Sequence, residues 1–422
     1  MLLISRIREN HKEIIERLKI RGLDVSEEIK NILSVDSNAR SMRTEMEAVQ
    51  AESNQLASQI GKLMKEGKKD EADHIKQRTS ELKSSVKDLS EKVQELESQL
   101  KELLYSIPNT PDLSVPSGKN SDDNKEVKKV GQPKVLTQAL PHWELASKYG
   151  IIDFDLGVKL TGAGFPVYKG KGARLQRALI QFFLDEGFRK GYTEVQPPLM
   201  VNEASGYGTG QLPDKEGQMY HVGDDDLYLI PTAEVPITNM YRDVMLKIED
   251  LPIKNCGYTP CFRREAGSYG AHVRGLNRLH QFDKVEIVQI VKPENSYMVL
   301  EDMSNYVQSL LDKLGLHYRV LLLCGGDMGF TSAKTYDMEV WSPAQQMWLE
   351  CSSVSNFETF QTNRLKCRFK NENGKTELAH SLNGSALALP RIVAAILETY
   401  QSEEGIIIPE VLRPYTGFDI ID

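Results

Sequence analysis

Residues 32 to 103 carry two runs of apolar or small residues whose spacing leaves little freedom of fold. The first is Ile32, Val35, Ala39, Met42, Met46, Val49, Ser53, Leu56, Ile60 and Leu63. The second is Ala72, Ile75, Thr79, Leu82, Val86, Leu89, Val93, Leu96, Leu100 and Leu103. Steps of three and four alternate through both, the heptad pattern of a left-handed coiled coil. The two runs are mirror images: Ile32 pairs with Leu103, Leu63 with Ala72, and every pair of numbers adds to 135. That symmetry predicts one antiparallel helical hairpin over about 31–104, turning near Gly67–Lys68 in "KEGKKDEA". Helices of about 35 residues are roughly 50 Å long at 1.5 Å per residue. Ser53 and Thr79 are the only hydroxyl-bearing core positions, weaker register markers than a buried amide. A dimerisation coiled coil satisfies the same periodicity. With 12 Lys and Arg against 14 Asp and Glu, the charge of residues 31–104 names no partner.

The chain of 422 residues is long enough for a second, larger unit with its own core. A formal charge of -8 argues against indiscriminate coating of nucleic acid, though not against a specific nucleic-acid partner held by local patches. The opening "MLLISRIREN" meets charge too soon for a signal-peptide core. No run approaches the roughly 18 apolar residues of a membrane span, so neither a membrane nor export is expected. Five cysteines (Cys256, Cys261, Cys324, Cys351, Cys367) form an odd, sparse set suited to reduced thiols in a cytoplasm. Cys256 and Cys261 lack a second close Cys/His pair, so buried strand cysteines are expected there and zinc is not.

After the heptads, residues 107–135 turn rich in Pro, Ser, Asn and charge, the composition of a linker or long surface loop. Beyond them an amphipathic helix is expected over about 173–189, then a strand ending at Pro197–Pro198. Short runs such as "LYLIPTAEV", "KVEIVQIV", "YRVLLLCG" and "MEVWSP" look like strands, and helices are expected near 294–315 and 391–402. The fold class is α+β around an antiparallel sheet.

The chemistry concentrates in 259–286, "TPCFRREAGSYGAHVRGLNRLHQFDKVE", which holds Arg263, Arg264, Arg274 and Arg278. Strand alternation would place Arg263 and Glu265 on one face, and Phe282, Lys284 and Glu286 on a common face of a return strand. Guanidinium forks suit phosphate oxygens, and a phenylalanine offers a platform for a purine. No Walker loop is present, since "GYGTGQLP" and "GKGAR" lack the Lys–Ser/Thr ending. Alone, the stretch reads equally as a salt-bridged exposed hairpin. Other segments complete it. "IPTAEVPITN" would put Thr232 and Glu234 on one strand face, and "LECSSVSN" gathers Glu350, Ser352 and Ser353, hard oxygen ligands for magnesium. "NGSALALPRIVAAILE" places Pro390 and Arg391 at a helix start, a position that favours phosphate.

Taken together, "TAE", "FRREAGS", "HQFDKVE", "NGS" and the closing "IPEVLRPYTGF" resemble, in content and order, the bacterial seryl-tRNA synthetases of class II, over essentially the whole chain. Residues 259–286 look like that family's motif 2, 383–397 like motif 3, and "GYTEVQPPLM" like motif 1, which builds a dimer interface. The resemblance implies a class II antiparallel sheet flanked by helices in residues 136–422. It also implies an N-terminal domain, 1–106, whose hairpin is a tRNA-binding arm, and a homodimer. It implies ATP-dependent attachment of L-serine to tRNA(Ser) through seryl-adenylate, and suggests selenocysteine tRNA as a further substrate. By similarity, Thr232, Ala233, Glu234, Glu286 and Ser385 bind serine. Arg263, Arg264, Glu265, Arg278, Phe282, Glu350, Cys351, Ser352, Ser353 and Arg391 bind ATP, with Glu350 and Ser353 holding its magnesium. Within that set Arg263 takes the α-phosphate, Glu265 and Phe282 the adenine, and Arg278 and Arg391 the γ-phosphate end. The chain departs from the family in four places. Arg264 stands where serine is usual, and "AHV" at 271–273 replaces Arg-Asp-Thr; Ala386 and Pro390 stand at positions commonly glycine. Two rivals are a synthetase-like enzyme loading a carrier protein, which should lack the long arm, and an inactive class II module, which should have lost Arg263, Glu350 or Arg391.

Overall fold

In the computed structural model, which describes residues 1–134, 136, 138–214, 217–265 and 274–422, the heptad runs form two long helices, α2 (Ser26–Lys65) and α3 (Lys69–Ser106), after a shorter α1 (Ile4–Leu18). All twenty heptad positions are buried or half-buried, and their neighbours along the arm are almost all exposed. Gly67 turns the chain with φ +75, a left-handed conformation that costs glycine nothing. The cross-helix ion pairs Arg43–Glu97 and Arg78–Glu52 straddle the 135 register symmetrically, as flanking positions of an antiparallel seam should. Thr79 is buried, and its hydroxyl is satisfied by the Ile75 carbonyl one turn back, at 2.8 Å.

Two compact units result. One comprises Leu2–Glu16 and Asp24–Pro108; the other comprises Met1, Arg17–Leu23 and Asn109–Asp422. Arg21 ties Arg17–Leu23 into the larger unit. Its buried guanidinium donates to the carbonyls of Asn109, Met328, Gly329 and Ser332, and burial lowers its pKa to about 10.

The larger unit is built on an eight-stranded sheet of β1 (Lys125–Val130), β2 (Thr193–Glu194), β3 (Ile253–Phe262), β4 (Gln281–Val291), β5 (Tyr318–Leu322), β6 (Lys334–Ser342), β7 (Met347–Glu358) and β8 (His380–Ala388). Its order is β1-β5-β6-β7-β8-β4-β3-β2, antiparallel except for the β2–β3 edge. Helices α4 (Gly170–Arg189), α5 (Ser296–Lys313) and α6 (Leu389–Thr399) share one core with Val285, Ile287, Val320, Met338 and Val354 of the strands. Proline in the first turn of α6 is tolerated because the nitrogen there has no intrahelical acceptor.

Three local expectations differ from the structure. β1 lies inside the stretch expected to be linker or loop. Its sequence, "KEVKKV", is exposed at all but one position, so a charged edge strand reads like a linker. Thr232 and Glu234 do not share a strand face: the strand Leu227–Leu229 has ended, and Glu234 opens a short helix, Glu234–Asn239. Likewise β3 ends at Phe262, so Arg263, Arg264 and Glu265 follow the strand, with Glu265 at φ +48. The departure at 271–273 lies outside the described residues. The seam of the arm yields a direct test. Leu82→Ala, at 4% exposure, should weaken the helical unfolding transition by about 2–4 kcal/mol, whereas the exposed Gln94→Ala should stay within about 0.5 kcal/mol in the same circular-dichroism melts.

Candidate active site

β4 sends alternate residues to opposite faces of the sheet. Val285 and Ile287 enter the core, while Phe282, Lys284 and Glu286 line a cavity of about 590 Å³ on the other side. Its size is that of a site for a ligand as large as a nucleotide. Around it stand Thr232, Glu234, Arg263, Glu265, Arg278, Glu350, Cys351, Ser352, Ser353, Ser385 and Arg391. Two expected residues are not part of the lining. Ala233 is fully buried against Ile237 and Val288. Arg264 turns away, its amide donating to the Gln218 carbonyl and its guanidinium 5.9 Å from the Tyr220 ring centre. Arg274 likewise lies over Trp143, 4.9 Å from the ring centre.

Two carboxylates are buried in the cavity wall. Glu286, 1% exposed, accepts from Asn383 Nδ2 at 2.9 Å, from Lys284 Nζ at 2.7 Å and from Ser385 Oγ at 3.5 Å. Burial raises its pKa, opposed by Lys284 and Arg263. Glu234, 6% exposed, accepts from Gln361 Nε2 at 2.6 Å. Burial first, then the Glu286 charge, push its pKa up to about 7. Lys284 reaches Thr232 as well, at 2.9 Å from Oγ1.

Each cationic group is braced by partners of its own. Arg263 Nε donates to the Pro231 carbonyl at 3.3 Å, and its guanidinium lies 5.2 Å from the Phe282 ring centre. Arg278 pairs with Glu265. Arg391 donates to the carbonyls of Asn277, at 3.2 Å, and Glu350, at 2.5 Å, with the Glu350 carboxylate 3.7 Å away. Cys351 and Ser352 are committed elsewhere: the thiol meets the Met338 carbonyl at 3.3 Å, and the hydroxyl donates to the Ser385 carbonyl at 2.6 Å. Behind Asn277 and Arg278 lies a fully buried pair, His142 and Glu398. The Leu276 amide donates to His142 Nε2 at 2.8 Å, which leaves Nδ1 to donate to Glu398 at 2.8 Å.

The acidic side of the cavity suits a divalent cation with oxygen ligands. Asp337 lies there with Oδ1 lacking a hydrogen-bond partner; burial first, then Glu350, raise its pKa well above the carboxylate range, and Ser353 hydrogen-bonds to it. Without a cation that carboxyl keeps a proton, and a divalent ion with oxygen ligands would take the proton's place. Asp337, Lys284, Asn277 and Asn383 were not among the expected site residues, nor was the His142–Glu398 brace. Only Lys284 left a local signal, its alternation with Phe282 and Glu286.

The chain matches a seryl-tRNA synthetase N-terminal domain model over residues 1–111 and a class II tRNA synthetase core model (G, H, P, S and T) over 219–400. It is 52% identical to a serine–tRNA ligase of Salinibacter ruber, over 99% of this chain and 98% of that one. To the serine–tRNA ligase of Bacillus subtilis it is 50% identical, over 99% and 98%. This chain is a member of the seryl-tRNA synthetase family. Its activity is the ATP-dependent charging of tRNA with serine. The same fold is seen in the seryl-tRNA synthetase of Pyrococcus horikoshii, solved with ATP, at TM-score 0.92 and 35% identity, covering 100% of this chain and 99% of that one. The cytoplasmic enzyme of Naegleria fowleri, solved with AMP, gives 0.88 and 27%, with the same coverage. Both rivals fall with these matches.

Glu234 supplies a test that needs no substrate. An ordinary carboxyl in the unfolded chain titrates near 4.5, and the folded one at about 7, so folding takes up a proton between them. The stability from that proton is complete at low pH and is lost as pH rises through about 7. In the ligand-free protein, Glu234→Gln should therefore raise unfolding stability at about pH 8 by on the order of 1–3 kcal/mol. The gain should shrink steadily towards about pH 5, as followed by denaturant titration.

Proposed function

We propose that the cavity binds L-serine through Thr232, Ala233, Glu234, Glu286 and Ser385, and ATP through Arg263, Arg264, Glu265, Arg278, Phe282, Glu350, Cys351, Ser352, Ser353 and Arg391. The observation that carries this assignment is that thirteen of these fifteen residues, from four separate stretches of sequence, line one cavity. Ala233 enters through its backbone alone, and Arg264, directed at Tyr220, is the weakest member of the set. The serine carboxylate attacks the α-phosphorus; the new P–O bond forms as the bond to the β-phosphate oxygen breaks, giving seryl-adenylate and pyrophosphate. A ribose hydroxyl of the terminal adenosine of tRNA(Ser) then takes the seryl group, releasing AMP. Arg263 neutralises the α-phosphate, and Arg278 and Arg391 the departing pyrophosphate, chemistry governed by positioning and fixed charge. Magnesium, held by Glu350 and Ser353 with Asp337 beside them, would supply further neutralisation of the phosphate oxygens. Glu234 and Glu286 meet the ammonium and hydroxyl of serine.

The arm binds tRNA, and the chain acts as a homodimer in the cytoplasm. Supporting the dimer, Phe188 (74% exposed), Leu199 and Met200 leave apolar surface around the segment that resembles motif 1. Among the described residues no helix is long and apolar enough to cross a membrane, and all five cysteines are buried and unpaired. The serylation of selenocysteine tRNA rests on resemblance alone.

Serine- and magnesium-dependent ATP–pyrophosphate exchange without tRNA is the expected partial reaction, and Arg263→Ala should slow it by on the order of 10²–10³-fold. A loss below about threefold, the scale of a peripheral charge, would move the α-phosphate role to another residue. Replacing residues 31–104 with a short linker should leave exchange intact and abolish most charging of tRNA. Near-normal charging would show that the arm does not bind tRNA.

A further inference from the structure

Lys284 is a cation 5% exposed, and its ammonium is shared by two groups of the serine site. Nζ lies 2.7 Å from Glu286 Oε2 and 2.9 Å from Thr232 Oγ1. An ammonium only donates, and a hydroxyl oxygen has two lone pairs and one proton. At Thr232 the first lone pair takes Lys284, and the second takes the Glu234 backbone N–H at 3.2 Å. Both acceptor positions are filled, so the Thr232 hydroxyl can only donate towards the cavity. At Glu286 the same ammonium has the opposite effect. It offsets part of the burial that would otherwise favour the protonated acid, and so preserves an acceptor.

We propose that Lys284 is a positioning residue for substrate selection: it fixes Thr232 as a donor and Glu286 as an acceptor, the complementary pair that a small aliphatic hydroxyl requires. The two oxygens touch one ammonium, so they are close enough for a single ligand hydroxyl to meet both. Serine satisfies both groups. Alanine, lacking the hydroxyl, leaves a buried donor and a buried carboxylate unpaired, the costly arrangement on which strong discrimination is built. Arg263, the other cation near Glu286, does not substitute, because its guanidinium lies over Phe282 and its Nε donates to Pro231.

The inference rests on the serine-site assignment above, and steady-state exchange kinetics with serine, alanine and ATP separate the two. Lys284→Met keeps length and removes the donors. It should raise the serine KM by about 10–100-fold, the scale of a lost charge-assisted hydrogen bond. It should also narrow the preference for serine over alanine at least about tenfold, while the ATP KM stays within about threefold. Serine KM and preference both unchanged, or an ATP KM rising in parallel with that of serine, would overturn the positioning role. Because Lys284→Met leaves buried Glu286 without the cation that hydrogen-bonds to it, a neutral pair, Lys284→Met with Glu286→Gln, is compared with Glu286→Gln alone. If Lys284 acts through Glu286, the lysine substitution should cost at least about threefold less in that background than in the parent. Additive losses would also overturn the inference. Glu286→Gln with an unchanged serine KM would instead refute the serine-site assignment itself.

Discussion

The antiparallel pairing of β3 with β4 is the constraint on which the catalytic unit depends. Its register, Gln281 opposite Phe262 and Glu286 opposite Gly257, sets which residues of β4 face the helices and which face the cavity. With side chains alternating at every residue, a slip of one position would turn Lys284 and Glu286 into the apolar core, and turn Val285 and Ile287 towards the cavity. The apolar side of β4 therefore determines where the charged side goes. On its other edge β4 pairs with β8, which brings Ser385 opposite Glu286.

Charge burial in the cavity wall is arranged so that each group constrains its neighbour. Glu286 raises the proton affinity of Glu234, Lys284 and Arg263 lower that of both, and Gln361 and Asn383 supply neutral donors. Unpaired, any of these groups would be expensive to keep from water. The result is a site whose donors and acceptors are set before a ligand arrives, the condition for selection by hydrogen bonding. Behind Asn277 and Arg278, the buried His142–Glu398 pair performs a similar service: it bonds the Leu276 amide next to them.

The two units owe their stability to different physics. The arm is a seam of twenty heptad residues along two consecutive helices joined by a single glycine turn. The larger unit depends also on a pairing distant in sequence, β1 with β5, where Lys125 lies opposite Leu322, and on buried polar anchors such as Arg21 on four carbonyls.

The hairpin was determined by sequence down to its register, because a period of 3.5 repeated ten times and mirrored about one glycine has a single low-energy solution. The class of the larger unit, the amphipathic helix near 173–189 and the proline-started helix at Leu389 were equally legible, each having a local period or cap. That thirteen of the fifteen expected residues would line one cavity came largely from their resemblance to a known family; alternation alone misplaced Thr232, Glu234 and Arg263, whose backbone leaves the strand where Pro231 and the turn after Phe262 intervene. Tertiary structure alone decided that β1 is a strand, since a charged edge has no pattern of its own. It alone brought Asp337 beside Ser353, His142 onto Glu398, and Lys284 between Thr232 and Glu286. Apart from Lys284 and Glu286 on one strand, those relations join residues from about ten to hundreds of positions apart. The physical reason is that the proton affinity and direction of a buried polar group depend on what surrounds it in space, which no local spacing records.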